Sequence, residues 1–333
     1  MRSTKTLCII LAALFIAAPS TFAAKQTIKI ATLAPSKSAW MTVFKAAAKE
    51  IHKATNGEIK VIVYGDGTLG DEKTIVRKIK SGSIQGGAVT SVGLAQVAPE
   101  ILVLQAPRLI RTYKQLDCVR SEMKEEFESA LAQRGFMLLG WGDVGYTYLF
   151  TNTPIRKPGD LKTENIKPWV WNADPLFQAI YNAVDASPIP LSVPKVLSSL
   201  NTGLIDAYYA SPLAAIALQW FRHTKYITGS PMAVGIGATV VSKKDWDKLS
   251  PEHQTLVRDI SNKWHNILIK KVRKDNKKSV NILKKKGYEI VKLTGAEKAE
   301  WDRVSVKVQD KLVGKVYSKK LLNRVRALSK QCK

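Results

Sequence analysis

From Thr27 to Thr90 the chain alternates between two hydrophobic periods, and this alternation restricts its fold more than any other feature. Thr27–Leu33 (TIKIATL) is β-branched and alternating, as a half-buried strand requires. Within Ser38–Thr55, Trp40, Val43, Phe44, Ala47 and Ile51 recur at helical spacing, and Asn56-Gly57 ends the run. Glu58–Tyr64 (EIKVIVY) is a second strand, Asp71–Ser81 a helix closed by Gly82, and Gln85–Thr90 a short third strand. Strand, helix, strand, helix, strand implies a sheet with helices on its faces, an α/β architecture.

The same grammar returns later. Gly135–Asn152 is a long β-like stretch. Lys167–Trp171 and Ile205–Tyr209 read as strands, Pro175–Val184 and Val193–Thr202 as helices, with a further helix through Trp220. Tyr226–Thr228 and Ala238–Ser242 are strands leading back to the first unit, where Gly235 and Gly237 ease the return crossing. Ser250 as N-cap and Pro251 at the first helical position open a helix that runs to Lys286, before Gly287. It is long enough to brace two units. Tyr288–Leu293 is a last strand, and two basic helices finish the chain.

The first residues bear on the compartment. Met1 to Lys5 is a short basic start, Leu7 to Ala18 is apolar, and Thr21-Phe22-Ala23 supplies small residues at a cleavage site. This is the layout of a secretory signal peptide over residues 1–23, with an apolar run too short to span a bilayer. The expected location is the periplasm. Export leaves Cys118 and Cys332, either bridged or as two independent thiols.

Charge needs care. The chain carries 52 Lys+Arg against 27 Asp+Glu, a formal +25, which first suggests nucleic acid. Yet Lys243 to Lys333 alone holds 26 basic and 10 acidic residues, a net +16. The excess follows the long helix and the tail, including Lys270-Lys271, Arg273-Lys274, Lys277-Lys278 and Lys284-Lys285-Lys286. Few aromatics interleave with it, which argues against single-stranded nucleic acid and for a solvated face, or contact with anionic lipid or an additional periplasmic protein.

No motif specifies an enzyme, a metal or a cofactor. Gly65-Asp66-Gly67-Thr68-Leu69-Gly70 matches G-x-G-x-x-G between a strand and a helix, but the acidic residue expected about 20 positions on is missing. It reads as a glycine-rich β–α turn. His52, His223, His253 and His265 are scattered without metal-ligand spacing. The aromatics are more informative: Trp40, Trp141, Trp169, Trp171, Tyr208 and Tyr209 fall near strand ends, where α/β folds line their ligand crevice. Thr90, Ser91 and Asp143 are the polar candidates there.

Several segments together resemble one family. They are Tyr64 to Gly70, Leu138-Leu139-Gly140-Trp141, Pro158-Gly159-Asp160-Leu161-Lys162, Pro190-Leu191-Ser192, and Leu200 to Asp206 (LNTGLID). Their order and spacing resembles the periplasmic solute-binding subunits of TRAP transporters, the DctP family. The resemblance implies two α/β lobes with a hinge between them, a long helix spanning both, closure on a small molecule, and delivery to membrane permease subunits. The lobes are expected at 24–140 with 236–260 and at 141–235, the helix at 251–286, and a basic strand and helices at 287–333 packing on the lobes.

The departures from the family pattern matter for the ligand. The usual carboxylate-binding Arg, in a strand after P-x-D-L-K, falls at Trp169 within Lys167-Pro168-Trp169-Val170. A second Arg falls at Thr147, and the Asn that follows T-G-x-x-D is replaced within Tyr208-Tyr209-Ala210-Ser211. A forked guanidinium is the natural partner of a carboxylate. The expected ligand is therefore hydrophobic or amphipathic, in a site of Trp40, Thr90, Ser91, Trp141, Asp143, Thr147, Trp169, Trp171, Tyr208, Tyr209 and Ser211. The alternatives are a carboxylate held by a non-standard anchor such as Lys167, or a lipid-chaperone or sensor module without transport.

Overall fold

The computed structural model describes residues 26–332, so the signal-peptide expectation lies outside the described residues. The first unit forms as its periodicity requires: β1 (Gln26–Thr32), α1 (Ala39–Ala54), β2 (Ile59–Tyr64), α2 (Glu72–Lys80) and β3 (Gly86–Thr90). Both helices begin at side-chain caps, Ser38 accepting from the Met41 amide and Asp71 from that of Glu72. β1 pairs in parallel with β2 and β3, the arrangement that β–α–β crossovers impose. The G-x-G-x-x-G run is the β2–α2 turn. Gly70 holds φ +105° there, and a Cβ would lie 2.8 Å from Thr74.

Residues 91–132, which periodicity left unassigned, are helical: α3 (Ser91–Ala95), a 3-10 turn (Pro99–Gln105), α4 (Tyr113–Glu122) and α5 (Lys124–Ala132). Next come β4 (Phe136–Thr151), α6 (Asp160–Thr163), β5 (Trp169–Trp171), α7 (Pro175–Asn182), β6 (Ile189–Leu191), α8 (Val193–Asn201), β7 (Tyr208–Ala210) and α9 (Pro212–Ala217). The chain returns through β8 (Tyr226–Thr228) and β9 (Ala233–Ser242), then α10 (Lys243–Trp246) and α11 (Pro251–Lys285). β10 (Glu289–Val291), α12 (Gly295–Lys311) and α13 (Lys319–Gln331) complete it. The strand expected at Ile205–Tyr209 sits later, at Tyr208–Ala210, because Lys167 and Trp169 hold Asp206 and Ala207 as an approach segment.

The main sheet runs β10-β8-β4-β9-β3-β1-β2, with β7 also on β4, and β5-β6 forms a second, two-stranded sheet. β4 and β9 are its long antiparallel pair, with register shifts between Leu138/Gly140 and Asp143/Gly145. They run through the middle of the sheet, and register shifts of this kind bend the strands that carry them. At 35 residues, α11 is about 52 Å long and packs on α1, β4 and α9. Lys270, Lys271, Lys274, Lys277, Lys278 and Lys284 to Lys286 are all exposed on it. Cys118 of α4 is bridged to Cys332 just past α13, closing the chain across 214 residues.

Candidate ligand-binding cleft

A cavity of about 190 Å³ lies where β1, β3, β5 and β7 end and where β4 and β9 cross. Trp40 and Phe44 of α1 and His265 and Leu268 of α11 close it from one side. This is the crevice position that open α/β sheets use. Nine of the eleven sequence candidates line it: Trp40, Thr90, Ser91, Asp143, Thr147, Trp169, Trp171, Tyr209 and Ser211.

Two do not, and strand geometry explains both. Successive side chains on a strand face opposite ways. Tyr209 faces the cavity, so Tyr208 turns into the core, stacked on Phe150 at 4.9 Å. In β4, the face of Gly140 and Gly142 receives α11; a Cβ on Gly140 would lie 2.4 Å from His265. Trp141 between them points away and meets Phe127 edge-on at 6.3 Å. Asp143 lines the cavity, but its carboxylate is not free for a ligand. It accepts from Arg120 Nη1 at 2.9 Å and Arg273 Nε at 2.6 Å, and is fully buried.

The aromatic wall is built by mutual packing. Trp169 stacks on Tyr209 at 4.8 Å and on Trp171 at 6.3 Å, with Trp220 edge-on at 5.2 Å. Phe177 of α7 lies flat on Tyr209 at 3.5 Å. Three of the four wall indoles donate within the protein: Trp169 to the Leu191 carbonyl, Trp171 to Asp71, and Trp40 to the Asp143 carbonyl. Trp169 is thus a packed wall element in the position where the resemblance leads one to expect an arginine.

Sequence reasoning missed Phe44, Glu72, Gln105, Asp174, Trp220 and His265, all of which line the cavity. Each sits on a different element, and only Trp220 and Asp174 share a residue type with the sequence candidates. Glu72 accepts from the Thr90 amide at 2.7 Å, the Thr90 hydroxyl at 2.8 Å and the Gly93 amide at 2.7 Å. Asp174 caps α7 and accepts from the Tyr209 hydroxyl at 2.7 Å. His265 donates from Nδ1 to the Ser261 carbonyl, so its Nε2 accepts from Thr239; burial lowers its pKa and keeps the ring neutral. Among the described residues, no Lys or Arg lines the cavity. Lys167 is exposed outside it, with Nζ on the Gly203 carbonyl at 2.5 Å.

Burial pushes the Glu72 carboxyl up to about 7, although the Thr90 and Gly93 donors pull the other way. Asp71 and Asp174 are raised by burial as well. A carboxyl raised in the folded state holds its proton more tightly there than in the unfolded chain. Its contribution is therefore complete below its unfolded pKa of about 4.3 and is lost as pH rises through 7. Thermal stability should fall between pH 5 and pH 8, and Glu72→Gln should flatten that slope. An unchanged slope in the variant would remove Glu72 as its source.

The comparisons agree on one family. The model for bacterial extracellular solute-binding protein, family 7 (DctP), matches residues 30–315. The chain is 26% identical over 247 residues to the 2,3-diketo-L-gulonate-binding periplasmic protein of Escherichia coli K12, covering 72% of this chain and 73% of that one. It is 24% identical over 270 residues to the C4-dicarboxylate-binding periplasmic protein DctP of Rhodobacter capsulatus, covering 79% of each. The sugar acid binding protein of Advenella mimigardefordensis, solved with galactonate, superposes with a TM-score of 0.86 at 19% identity, over 93% of this chain and 100% of that one.

Proposed function

Because the chain belongs to the DctP family of bacterial extracellular solute-binding proteins, we propose that it is the periplasmic capture subunit of a TRAP-type transporter whose cargo is a hydrophobic or amphipathic small molecule. The lobes divide near residues 141 and 235, and ligand binding shifts their open–closed equilibrium toward the closed form, which is handed to the membrane permease.

One observation carries the ligand reading: among the described residues, the cavity wall has aromatic faces and partnered carboxyls but no Lys or Arg. Burying a carboxylate ligand without a cationic or multiple-donor partner costs several kcal/mol. Apolar surface placed against Trp169, Trp171 and Tyr209 gains roughly 25 cal/mol per Å² instead. The relatives named above bind acids, so the chain departs from them in ligand while keeping their fold and role.

Native mass spectrometry of the protein purified from cells tests this directly, together with titration against succinate. The expected result is a co-purified apolar molecule and no measurable succinate binding. Tight succinate binding with no co-purified hydrophobe would return the protein to the acid-binding group.

A further inference from the structure

Most polar hydrogens in the cavity wall are already used by the protein. The Thr90 hydroxyl donates to Glu72, the Thr239 hydroxyl to His265, the Tyr209 hydroxyl to Asp174, and the Trp40, Trp169 and Trp171 indoles to the acceptors described above. Gln105 differs. It ends the Pro99–Gln105 turn, lines the cavity and is only 7% exposed. Its Oε1 accepts from the Ser91 hydroxyl at 2.7 Å and, more weakly, from the Ile236 amide at 3.4 Å. Two donors on one atom identify that end of the amide as the oxygen. The amide nitrogen is left without an acceptor among the described residues. The nitrogen reaches the open cavity and is not sealed in the core, so a ligand that displaces water from it must offer an acceptor oxygen or leave the N–H unmatched.

We propose that Gln105 is a specificity-determining ligand contact: its side-chain amide donates to an uncharged acceptor oxygen, making the ligand a neutral amphiphile rather than an acid. The inference rests on the aromatic-cleft reading above and adds the polar end of the molecule. Ser91 orients the amide, while the adjacent Thr90 binds Glu72, so the polar corner that holds the donor also holds a buried carboxyl. A negatively charged oxygen there would find no Lys or Arg in the wall, among the described residues, to offset its charge.

The test uses three probes of equal chain length, 2-octanone, 1-octene and octanoate, followed by the fluorescence of the cleft indoles. In Gln105→Leu the ketone-to-alkene affinity ratio should fall about three- to tenfold, the worth of one neutral hydrogen bond. Ser91→Ala, which frees the amide to rotate, should lower the ratio in the same direction if Gln105→Leu folds poorly. In the wild type the ketone, and not the alkene, should shift the Gln105 side-chain amide resonance, and octanoate should bind most weakly. An unchanged ratio in both variants overturns the role of Gln105 while leaving the apolar cleft intact. Octanoate binding best in the wild type overturns the cleft reading itself.

Discussion

Trp169→Ala is expected to cost about 3–5 kcal/mol of folding stability, the range for removing a buried Trp or Phe, and to reduce ligand affinity at the same time. The side chain is 2% exposed and touches Trp171, Tyr209 and Trp220, so the neighbours lose their packing partner rather than a solvent shield. The void also opens into an existing cavity, which leaves little reason for the wall to collapse and recover the loss. Thermal melting should shift down by roughly 5–10 °C. Trp169→Phe separates the two effects: it keeps an aromatic face but drops the hydrogen bond to Leu191. Affinity for an apolar probe that survives in the Phe variant and fails in the Ala variant assigns the aromatic surface to binding. Unchanged affinity in Trp169→Ala would take the residue out of the site.

The elements were legible because each is specified by local pattern. The alternation of TIKIATL and EIKVIVY, the Ser250-Pro251 start and the Gly287 stop mark the ends of β1, β2 and α11 to within a residue or two. Residues 91–132 were not legible, since their apolar run in the Pro99–Gln105 turn follows neither a strand nor a helix period and is buried on all sides. The site shows the same division. Trp169, Trp171 and Tyr209 could be read because aromatic residues near strand ends either line the crevice or join the core, and these three do both. Tyr208 and Trp141 shared that signal, and only the strand's alternation and the glycines under α11 decided which way they face. Glu72 and Gln105 carry no linear signal at all. What makes them notable is burial and an exact count of donors against acceptors, and both exist only once α2, α3 and the Pro99–Gln105 turn have met.

Asp143 is the residue whose loss should matter most outside the aromatic wall. It was expected as a ligand contact and is the buried centre of an alternating ion network. Arg120 of α4 reaches both Asp143 and Asp117, at 2.9 and 2.8 Å. Arg273 of α11 reaches the same two acids, both at 2.6 Å. Two acids and two bases leave the cluster neutral, so its desolvation cost is met only while all four are present. Asp143→Asn keeps the shape and removes one charge, leaving Arg120 at 7% exposure and Arg273 at 21% to share Asp117. The expected loss is about 3–5 kcal/mol, the cost of breaking a buried pair. Because the network ties α4, β4 and α11 together at the register shift between Asp143 and Gly145, the damage should be local before it is global. Amide exchange should quicken first in β4 near Gly142 to Thr147, which is also cavity wall, and ligand affinity should drop with it. A double-mutant cycle with Arg120→Met decides whether the coupling is electrostatic. If the double variant recovers part of the stability lost in Asp143→Asn, the uncompensated arginine was the cause. If the two losses simply add, Asp143 acts through packing and the network contributes nothing of its own.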